Sequence, residues 1–336
     1  MNSKKNTAYS ILELAFVSEG TTVADTFKNS LDLAQKAEEM GYSRFWLAEH
    51  HNTISIASSA TPVLIGHIAG GTKSIKVGSG GIMLPNHSSL IVAEQFGTLG
   101  TLYPNRIDLG LGRAPGTDQA TAYAIRSDRM QAVNNFPAEV GQIQRYFSAD
   151  NRDAPVRATV AEGVNVPIYI LGSSTDSAHL AAKMGLPYAF ASHFATALLP
   201  EAMEIYRREF QPSELLAEPY TIAGINVIAA DTDAEAEENF TSLIRMFLGV
   251  LTGKREHLQP PMAMTDDLMM VLHNPAVRDM LKYSFVGRKE SVAKQVRQFL
   301  EQTKVDELMV VSNIYGPAER VKSYRIFSEI MQDLAV

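Results

Sequence analysis

The sequence contains no cysteine among its 336 residues. This absence excludes disulfide bonds, thiolate zinc sites and a cysteine nucleophile, and it favours a cytoplasmic location. The beginning of the chain, MNSKKNTAYSILELAF, lacks an apolar core as long as that of a signal peptide. No run of about 18 apolar residues occurs, so we expect no membrane insertion. The net charge of −7 provides no basic field for nucleic acid or anionic lipid.

The chain instead contains a repeated alternation of apolar strand-like runs and helical periods. Its composition, 46% hydrophobic and 20% charged, is that of an ordinary soluble globular protein. The eight predicted strands are 9–16, 45–48, 75–84, 106–112, 167–171, 188–192, 220–230 and 307–311. This pattern predicts an α/β fold, a (β/α)8 TIM barrel that forms a single domain over 1–336. An open doubly wound sheet is the alternative, but strand one lacks the G-x-G-x-x-G turn of a dinucleotide fold.

Two segments interrupt the alternation, 117–166 after strand 4 and 251–283 after strand 7. The first contains a predicted helix at 132–147, followed by a polar stretch that we interpret as a surface excursion without its own core. The second shows no clear strand. It is either a mobile lid over the barrel mouth or a surface loop with a helix of its own.

The strongest candidate for chemistry is the end of strand two, where the apolar run gives way to Glu49, His50 and His51. Burying a carboxylate and two imidazoles is costly, and histidine can carry a proton near neutral pH. The alternative is a hydrogen-bonded histidine pair that only ends the strand. Adjacent strand residues point to opposite faces, so His50 and His51 are not expected to bind one ion, and no metal site is predicted.

The carboxyl ends of the strands converge on one face of a barrel, where active sites form. The residues at the other strand ends are Glu13 and Phe16, Gly80 and Gly81, Gly112 and Arg113, Gly172 to Ser174, His193, and Asn226. We therefore expect these side chains to surround one site, with His193 and Asn226 facing the substrate.

Two glycine-containing segments have ligand-binding character. Gly80 and Gly81 interrupt an apolar strand and predict a bulge, which either admits a flat ligand ring or only curves the barrel. The segment 172–177, GSSTDS, follows strand five and opens a helix, so its backbone N–H groups and hydroxyls can hold a phosphate. Arg113 on the neighbouring strand supplies a charge-assisted contact. Ser177 is alternatively a plain helix cap, as is Asp176.

Four motifs of this sequence resemble, in order and spacing, those of the bacterial luciferase-like flavin monooxygenases: FWLAEHH, VGSGGIMLPNHS, RIDLGLGRAPG and LGSSTDSAHLAAKMGLPYAFASHF. The resemblance is to their single-chain FMN-dependent oxidoreductases in particular. It implies a barrel that binds reduced FMN, with the isoalloxazine over a cis peptide bond between Gly80 and Gly81. The residues that match the family's motifs are the catalytic His50 with Glu49 near the flavin, and the phosphate ligands Arg113, Ser174 and Ser177, with Ser173 alongside.

The same resemblance marks where this chain departs from luciferase itself. Luciferase has a cysteine beside the flavin where this chain has Gly112, and an acidic residue where Ser173 stands. Light emission from long-chain aldehydes is therefore not implied.

The resemblance also implies an activity, in which FMNH2 and O2 oxidise a small organic substrate through a flavin C4a-hydroperoxide. Since no dinucleotide fingerprint occurs, a separate NAD(P)H:flavin reductase would deliver FMNH2. Relatives commonly form a homodimer, but no heptad or long apolar stripe of this sequence indicates an interface, so the oligomeric state stays open. The alternatives are a deazaflavin (F420)-dependent dehydrogenase on the same barrel, a non-catalytic flavin-binding protein and a phosphate-binding barrel isomerase.

Overall fold

The computed structural model describes residues 6–335, with only the backbone of residues 129 and 130. Residues 1–5 and 336 of the predicted domain lie outside the described residues. The strands are β1 Ala8–Glu13, β2 Arg44–Leu47, β3 Lys76–Met83, β4 Ile107–Gly112, β5 Ile168–Gly172, β6 Tyr188–Phe190, β7 Thr221–Ala229, β8 Ser284–Gly287 and β9 Glu307–Val311. The helices are α1 Val23–Glu39, α2 Thr61–Gly71, α3 Ser89–Leu102, α4 Gln119–Ile125, α5 Arg129–Phe147, α6 Thr175–Met184, α7 Leu199–Glu209, α8 Asp233–Thr252, α9 Asp266–His273, α10 Pro275–Leu281, α11 Lys289–Thr303 and α12 Pro317–Ala335.

Eight parallel strands close into a barrel in the order β1 to β7 followed by β9, which pairs with β1. The helices between the strands cover the outside of this barrel. The structure thus confirms the predicted (β/α)8 TIM barrel. Because every strand runs in the same direction, all carboxyl ends lie on one face. Between residues 6 and 335, no helix combines the length and apolarity needed to cross a membrane.

A ninth strand, β8, pairs in parallel with the carboxyl-terminal half of β7, with Ser284 opposite Asn226. The sequence pattern did not predict it, since four residues are too few to establish a period of two. β6 pairs with the first residues of β7, so β6 and β8 share one edge of this strand.

Helix ends follow the local sequence closely. Thr22 caps α1 with a capping box that includes Asp25, so α1 begins at Val23. Two other helices end at a glycine, α6 at Gly185 and α8 at Gly253. Both glycines have a left-handed backbone, which glycine adopts without strain.

A buried ion network closes the amino-terminal end of the barrel. The Arg44 guanidinium contacts Asp108 at 2.7 Å and Glu307 at 2.8 Å, and all three side chains are buried. Trp46 lies above them, and its indole N–H donates to Asp108 at 3.1 Å. These residues occupy the end of the barrel opposite the face where active sites form.

The polar stretch before β5 is not the coreless excursion that the sequence predicts. Ala158 and Ala161 are fully buried and pack with Ala93 of α3 and Tyr146 of α5. A Cβ atom on Gly97 of α3 would lie only 2.6 Å from the Ala161 backbone. Small side chains permit this close approach, and their weak apolar signal explains why the sequence pattern does not reveal it.

The second predicted insertion packs on α8. Its helices α9 and α10 bury Leu268, Val277 and Leu281 against that helix. Leu258, in the segment between α8 and α9, exchanges backbone hydrogen bonds with the segment after β1, at Val17 and Glu19. The segment is therefore attached beside the barrel mouth, and its role as a mobile lid stays a prediction.

Candidate active site

A cavity of about 420 Å³ opens at the carboxyl-terminal face of the barrel. Its floor comes from residues that end or follow β1, β2, β6 and β9, namely Leu14, Phe16, His50, His193, Val311 and Asn313. Residues between 245 and 259 contribute its outer wall. The structure thus brings together His50 and His193, which lie 143 residues apart in the sequence.

Glu49 is the centre of a buried hydrogen-bond network and is only 1% exposed. Its Oε1 accepts from His51 Nε2 at 2.9 Å and from Asn86 Nδ2 at 3.0 Å. Its Oε2 accepts from the Met83 backbone N–H and from His87 Nε2, both at 2.9 Å. Burial opposes ionisation, but the hydrogen bonds from these side chains outweigh it and lower the pKa of Glu49 to about 2.

This network ties the end of β2 to the turn that follows β3. Both oxygens of Glu49 are engaged by donors, and the side chain is not among the residues that line the cavity. The geometry therefore supports Glu49 as a residue that positions its neighbour His50, whereas its predicted catalytic role stays a prediction.

His50 presents an imidazole to the cavity. Its Nδ1 lies 3.3 Å from the Gly116 carbonyl oxygen, which accepts a hydrogen bond when Nδ1 carries the proton. That tautomer leaves Nε2 as a proton acceptor, and none of the side chains that the structure describes hydrogen-bonds to it. Burial lowers the pKa of His50, and the charge of Arg255 acts in the same direction. His50 is therefore neutral at neutral pH and able to accept a proton.

His193 is the second imidazole of the cavity floor. Burial, with a smaller contribution from His50, lowers its pKa to about 3. Its Nδ1 lies against the backbone of Gly224, where a Cβ atom would come within 2.5 Å. Asn226 is 1% exposed and donates from Nδ2 to the His193 carbonyl at 2.6 Å and to Ser284 Oγ at 3.2 Å. The structure thus places Asn226 behind His193 and not on the cavity wall.

The glycine segment of β3 forms the predicted bulge. The register of β3 on β4 shifts there, and the peptide bond between Gly80 and Gly81 is cis, as the family resemblance implies. A Cβ atom on Gly80 would come within 2.7 Å of Leu12, and one on Gly81 would overlap Leu171. Packing inside the barrel therefore requires both glycines, while their contact with a flat ring stays a prediction.

The predicted phosphate site, formed by Arg113 and the segment 172–177, lies at the start of α6 and is called the cradle. Arg113 is 46% exposed, and its Nη2 lies 3.0 Å from Asp176 Oδ2. Ser174 is the N-cap of α6, but its side chain makes no capping hydrogen bond. The Ser177 hydroxyl donates to the Ser174 carbonyl at 2.7 Å and lies 3.0 Å from the Tyr188 hydroxyl. Ser177 is thus engaged within the protein, whereas Arg113 and Ser174 have donors available.

This donor set fits a phosphate. A guanidinium, the hydroxyls of Ser174 and the exposed Ser173, and the first N–H groups of a ten-residue helix all lie together. At Gly112, at the end of β4 just before Arg113, a Cβ atom would come within 2.7 Å of Met83 Cε, so a side chain there would require the flexible end of Met83 to move. None of these residues lines the 420 Å³ cavity, so the cradle and the cavity are separate parts of the barrel face.

The expectation that Glu13 faces the site is wrong. Glu13 is fully buried on the outer side of β1, where Arg320 of α12 donates to its Oε2 at 2.5 Å and Ser30 of α1 donates to its Oε1 at 3.1 Å. Its neighbour Leu12 points into the barrel instead. Because successive strand residues face opposite sides, Glu13 joins the helical layer and not the site.

The sequence reasoning missed several residues of this face. His87 follows a 3-10 turn at Leu84–Asn86 and reaches Glu49, although it lies within the quoted motif VGSGGIMLPNHS. Asn313 follows β9 and lines the cavity, as do Arg245 and Arg255 from α8 and the segment after it. Asn313 could have been predicted, because it is a polar residue just after the last strand. No local sequence feature indicates that the two arginines line the cavity.

A family model described as luciferase-like monooxygenase matches residues 8–307. This chain belongs to that family. It is an oxidoreductase enzyme, as the sequence motifs predicted. A luciferase-like monooxygenase of Escherichia coli strain K12 is 45% identical to it over 330 residues, 98% of each chain. The N-acetyl-S-alkylcysteine monooxygenase of Bacillus subtilis strain 168 is 34% identical, over 95% of this chain and 97% of that protein.

Solved structures agree with this assignment. The crystal structure of apo-MsnO8 superposes with a TM-score of 0.88 at 34% identity, and covers 97% of this luciferase-like chain and 98% of MsnO8. Two more distant structures share the fold alone. The oxygenating constituent of 3,6-diketocamphane monooxygenase from Pseudomonas putida, solved with FMN, has 17% identity, a TM-score of 0.73 and coverage of 96% and 97%. An F420-dependent secondary alcohol dehydrogenase has 16% identity, a TM-score of 0.69 and coverage of 95% and 97%.

Proposed function

We propose that this protein is a monooxygenase that uses reduced FMN and O2 to oxidise a small organic substrate. The observation that carries the proposal is His50. It is a neutral imidazole in a cavity at the barrel mouth, oriented by the Gly116 carbonyl and with Nε2 available. Membership of the luciferase-like monooxygenase family supports the reaction class.

The residues of the cradle would hold the cofactor. Arg113, Ser173, Ser174 and the N–H groups at the start of α6 would bind the phosphate of FMN, with Ser177 supporting the Ser174 carbonyl. Gly80, Gly81 and Gly112 would lie beside the ring. When bound, reduced flavin supplies the electrons and activates O2.

In this proposal His50 controls a proton at Nε2. Because burial lowers the pKa of the imidazole, the side chain is unprotonated at neutral pH and acts as the general base. Glu49 holds the end of β2 in place through His51 and His87. The wall formed by residues 245–259 limits the access of water to this part of the barrel face.

The proposal extends to the supply of the cofactor and to the assembly. A separate NAD(P)H:flavin reductase delivers FMNH2, the protein works in the cytoplasm, and it forms a homodimer. The cytoplasmic location follows from the absence of cysteine, the reductase from the absence of a dinucleotide fingerprint, and the homodimer from the family resemblance.

An F420-dependent dehydrogenase is the second candidate, favoured by the shared fold of the F420-dependent alcohol dehydrogenase. Anaerobic titration with FMN, FMNH2 and F420, followed by admission of air, separates the two. We expect FMNH2 to bind most tightly and air to produce a transient absorbance unlike that of reduced or oxidised FMN. Preference for F420 with no such transient would identify the dehydrogenase.

Replacement of His50 tests the proposed catalysis. We expect His50→Ala to bind FMN normally but to form oxidised product at least about 100-fold more slowly from a panel of thioethers, ketones and aldehydes. His67→Ala, which removes an exposed histidine on α2, is the matched control. Product formation at the normal rate by His50→Ala would overturn the role of His50. A wild-type protein that binds FMN and oxidises nothing in the panel would favour the passive flavin-binding alternative.

A further inference from the structure

The outer wall of the cavity carries positive charge. Its charged lining residues are three cations, Arg245, Lys254 and Arg255, and one carboxylate, Glu256. The chain as a whole has a net charge of −7, so this concentration of cations is local. The two imidazoles of the floor are neutral at neutral pH and do not alter the balance. An anionic ligand is therefore attracted to this cavity.

Arg245 is a partly buried cation of α8 with no anionic partner in the part of the chain that the structure describes. Its Nη1 donates to the Pro260 carbonyl at 3.0 Å and its Nη2 donates to Gln259 Oε1 at 3.3 Å. A guanidinium has five N–H donors, so Nε and one hydrogen on each terminal nitrogen remain for a ligand. Because an unpaired charge in a partly buried position is costly, the arrangement fits a ligand that brings the opposite charge.

Arg255 is a second cation of the cavity lining, and its side chain is exposed. Its Nη1 donates to Thr53 Oγ1 at 3.1 Å, and none of the carboxylates between residues 6 and 335 forms an ion pair with it. Together with His50 it also lines a second, more open depression that shares residues with the cavity. An anion held there would therefore lie close to the imidazole.

Asn313 adds an uncharged polar contact. It is 3% exposed, it lines the cavity floor, and its Oδ1 has no hydrogen-bond partner. A buried amide without a partner is costly, so a polar group of the ligand is expected to satisfy it. The rest of the lining is largely apolar, and includes Phe16, Phe194, Met246 and Met280.

We propose that the cavity binds a small substrate with an apolar body and one carboxylate, which Arg245 and Arg255 hold while Asn313 binds an uncharged polar group. This inference names the substrate class of the proposed monooxygenase and rests on that proposed function. Arg245 and Arg255 are then specificity-determining residues. The apolar body lies over His50 and His193, where oxidation takes place.

The binding of N-acetylmethionine and of its methyl ester to the flavin-free protein tests the charge requirement. The two probes share a thioether, an amide and an apolar body, and differ in the carboxylate. By isothermal titration calorimetry we expect the acid to bind at least about tenfold more tightly than the ester. Arg245→Gln and Arg255→Gln should each reduce the affinity for the acid about tenfold and leave that for the ester unchanged. Glutamine keeps an N–H donor for Pro260 or Thr53, so the wall should retain its structure.

Two further variants complete the design. Arg245→Lys keeps the charge and should restore part of the affinity for the acid. Arg297→Gln removes an exposed cation on α11 and should change neither affinity.

Equal affinities for acid and ester, binding of neither probe, or losses in the glutamine variants that are the same for both probes would overturn the proposal. An oxidation assay with FMNH2 and air distinguishes this failure from failure of the proposed function. If the protein binds the acid more tightly than the ester but does not oxidise it, the carboxylate site is supported and the monooxygenase is refuted. Oxidation of neutral thioethers without preference for the acid would support the monooxygenase and refute the carboxylate site.

Discussion

Replacing Glu49 with glutamine should remove a pH-dependent part of the protein's stability. The pKa of this carboxyl is about 2 in the folded protein against an ordinary value of 4.5. That difference corresponds to about 3 kcal/mol of folding free energy. Because the pKa is lower in the folded than in the unfolded state, the stabilisation is complete above the unfolded value of 4.5 and is lost as the pH falls toward 2. About half of it should be lost by about pH 3.

Urea unfolding of the wild type and Glu49→Gln at about pH 5, 4 and 3 measures this effect. Trp46, the only tryptophan in the sequence, is buried in the barrel and reports unfolding by its fluorescence. The variant should be less stable at the highest pH, because the side-chain NH2 group of the glutamine would face the N–H groups that donate to Glu49 in the wild type. The difference between the two proteins should then shrink by about 1 to 2 kcal/mol toward the lowest pH. Glu301→Gln removes an exposed carboxylate as a control. A difference that stays constant with pH would refute the reasoning.

Three further predictions concern the cradle and the helical layer. Arg113→Ala should weaken the binding of FMN by at least about tenfold in a fluorescence titration and leave riboflavin, which has no phosphate, unaffected; equal losses would exclude the phosphate contact. Arg320→Met leaves Glu13 buried without its cation and should cost about 3 to 5 kcal/mol in urea unfolding, and a loss below about 1 kcal/mol would contradict a buried pair. Gly97→Ala places a methyl group 2.6 Å from the backbone of the loop before β5 and should lower the free energy of unfolding by about 1 to 3 kcal/mol. Gly141→Ala has open space around it and should leave stability unchanged. Equal unfolding midpoints for both variants would rule out the close packing.

The barrel could be predicted because its strands carry strong local signals. Phe45, Trp46 and Leu47 of β2 are buried, and they appear in the sequence as an unbroken apolar run. The parallel order then follows from the alternation with helices, so His50 and His193 could be placed at one face from sequence alone. β8 lacked a comparable signal, because only two of its four residues are buried.

The side-chain partners could not be predicted in the same way. Glu13 and Arg320 are 307 residues apart, and no local pattern connects them. The partnership of His87 with Glu49 depends on the 3-10 turn after β3, which turns the chain back toward β2. Arg245 belongs to a helix outside the barrel, and whether this position faces a cavity or solvent depends on how α8 packs.

The attachment of Leu258 has a consequence for how this protein could change over evolutionary time. The segment that carries Arg255 runs from the end of α8 at Gly253 to the point where Leu258 is hydrogen-bonded to Val17 and Glu19. Its two ends are fixed by backbone groups, so its side chains are interchangeable without altering the connection. The four residues between these ends, 254–257, can therefore be replaced together, and a new substrate preference acquired, while the strands that hold His50 and Glu49 stay as they are.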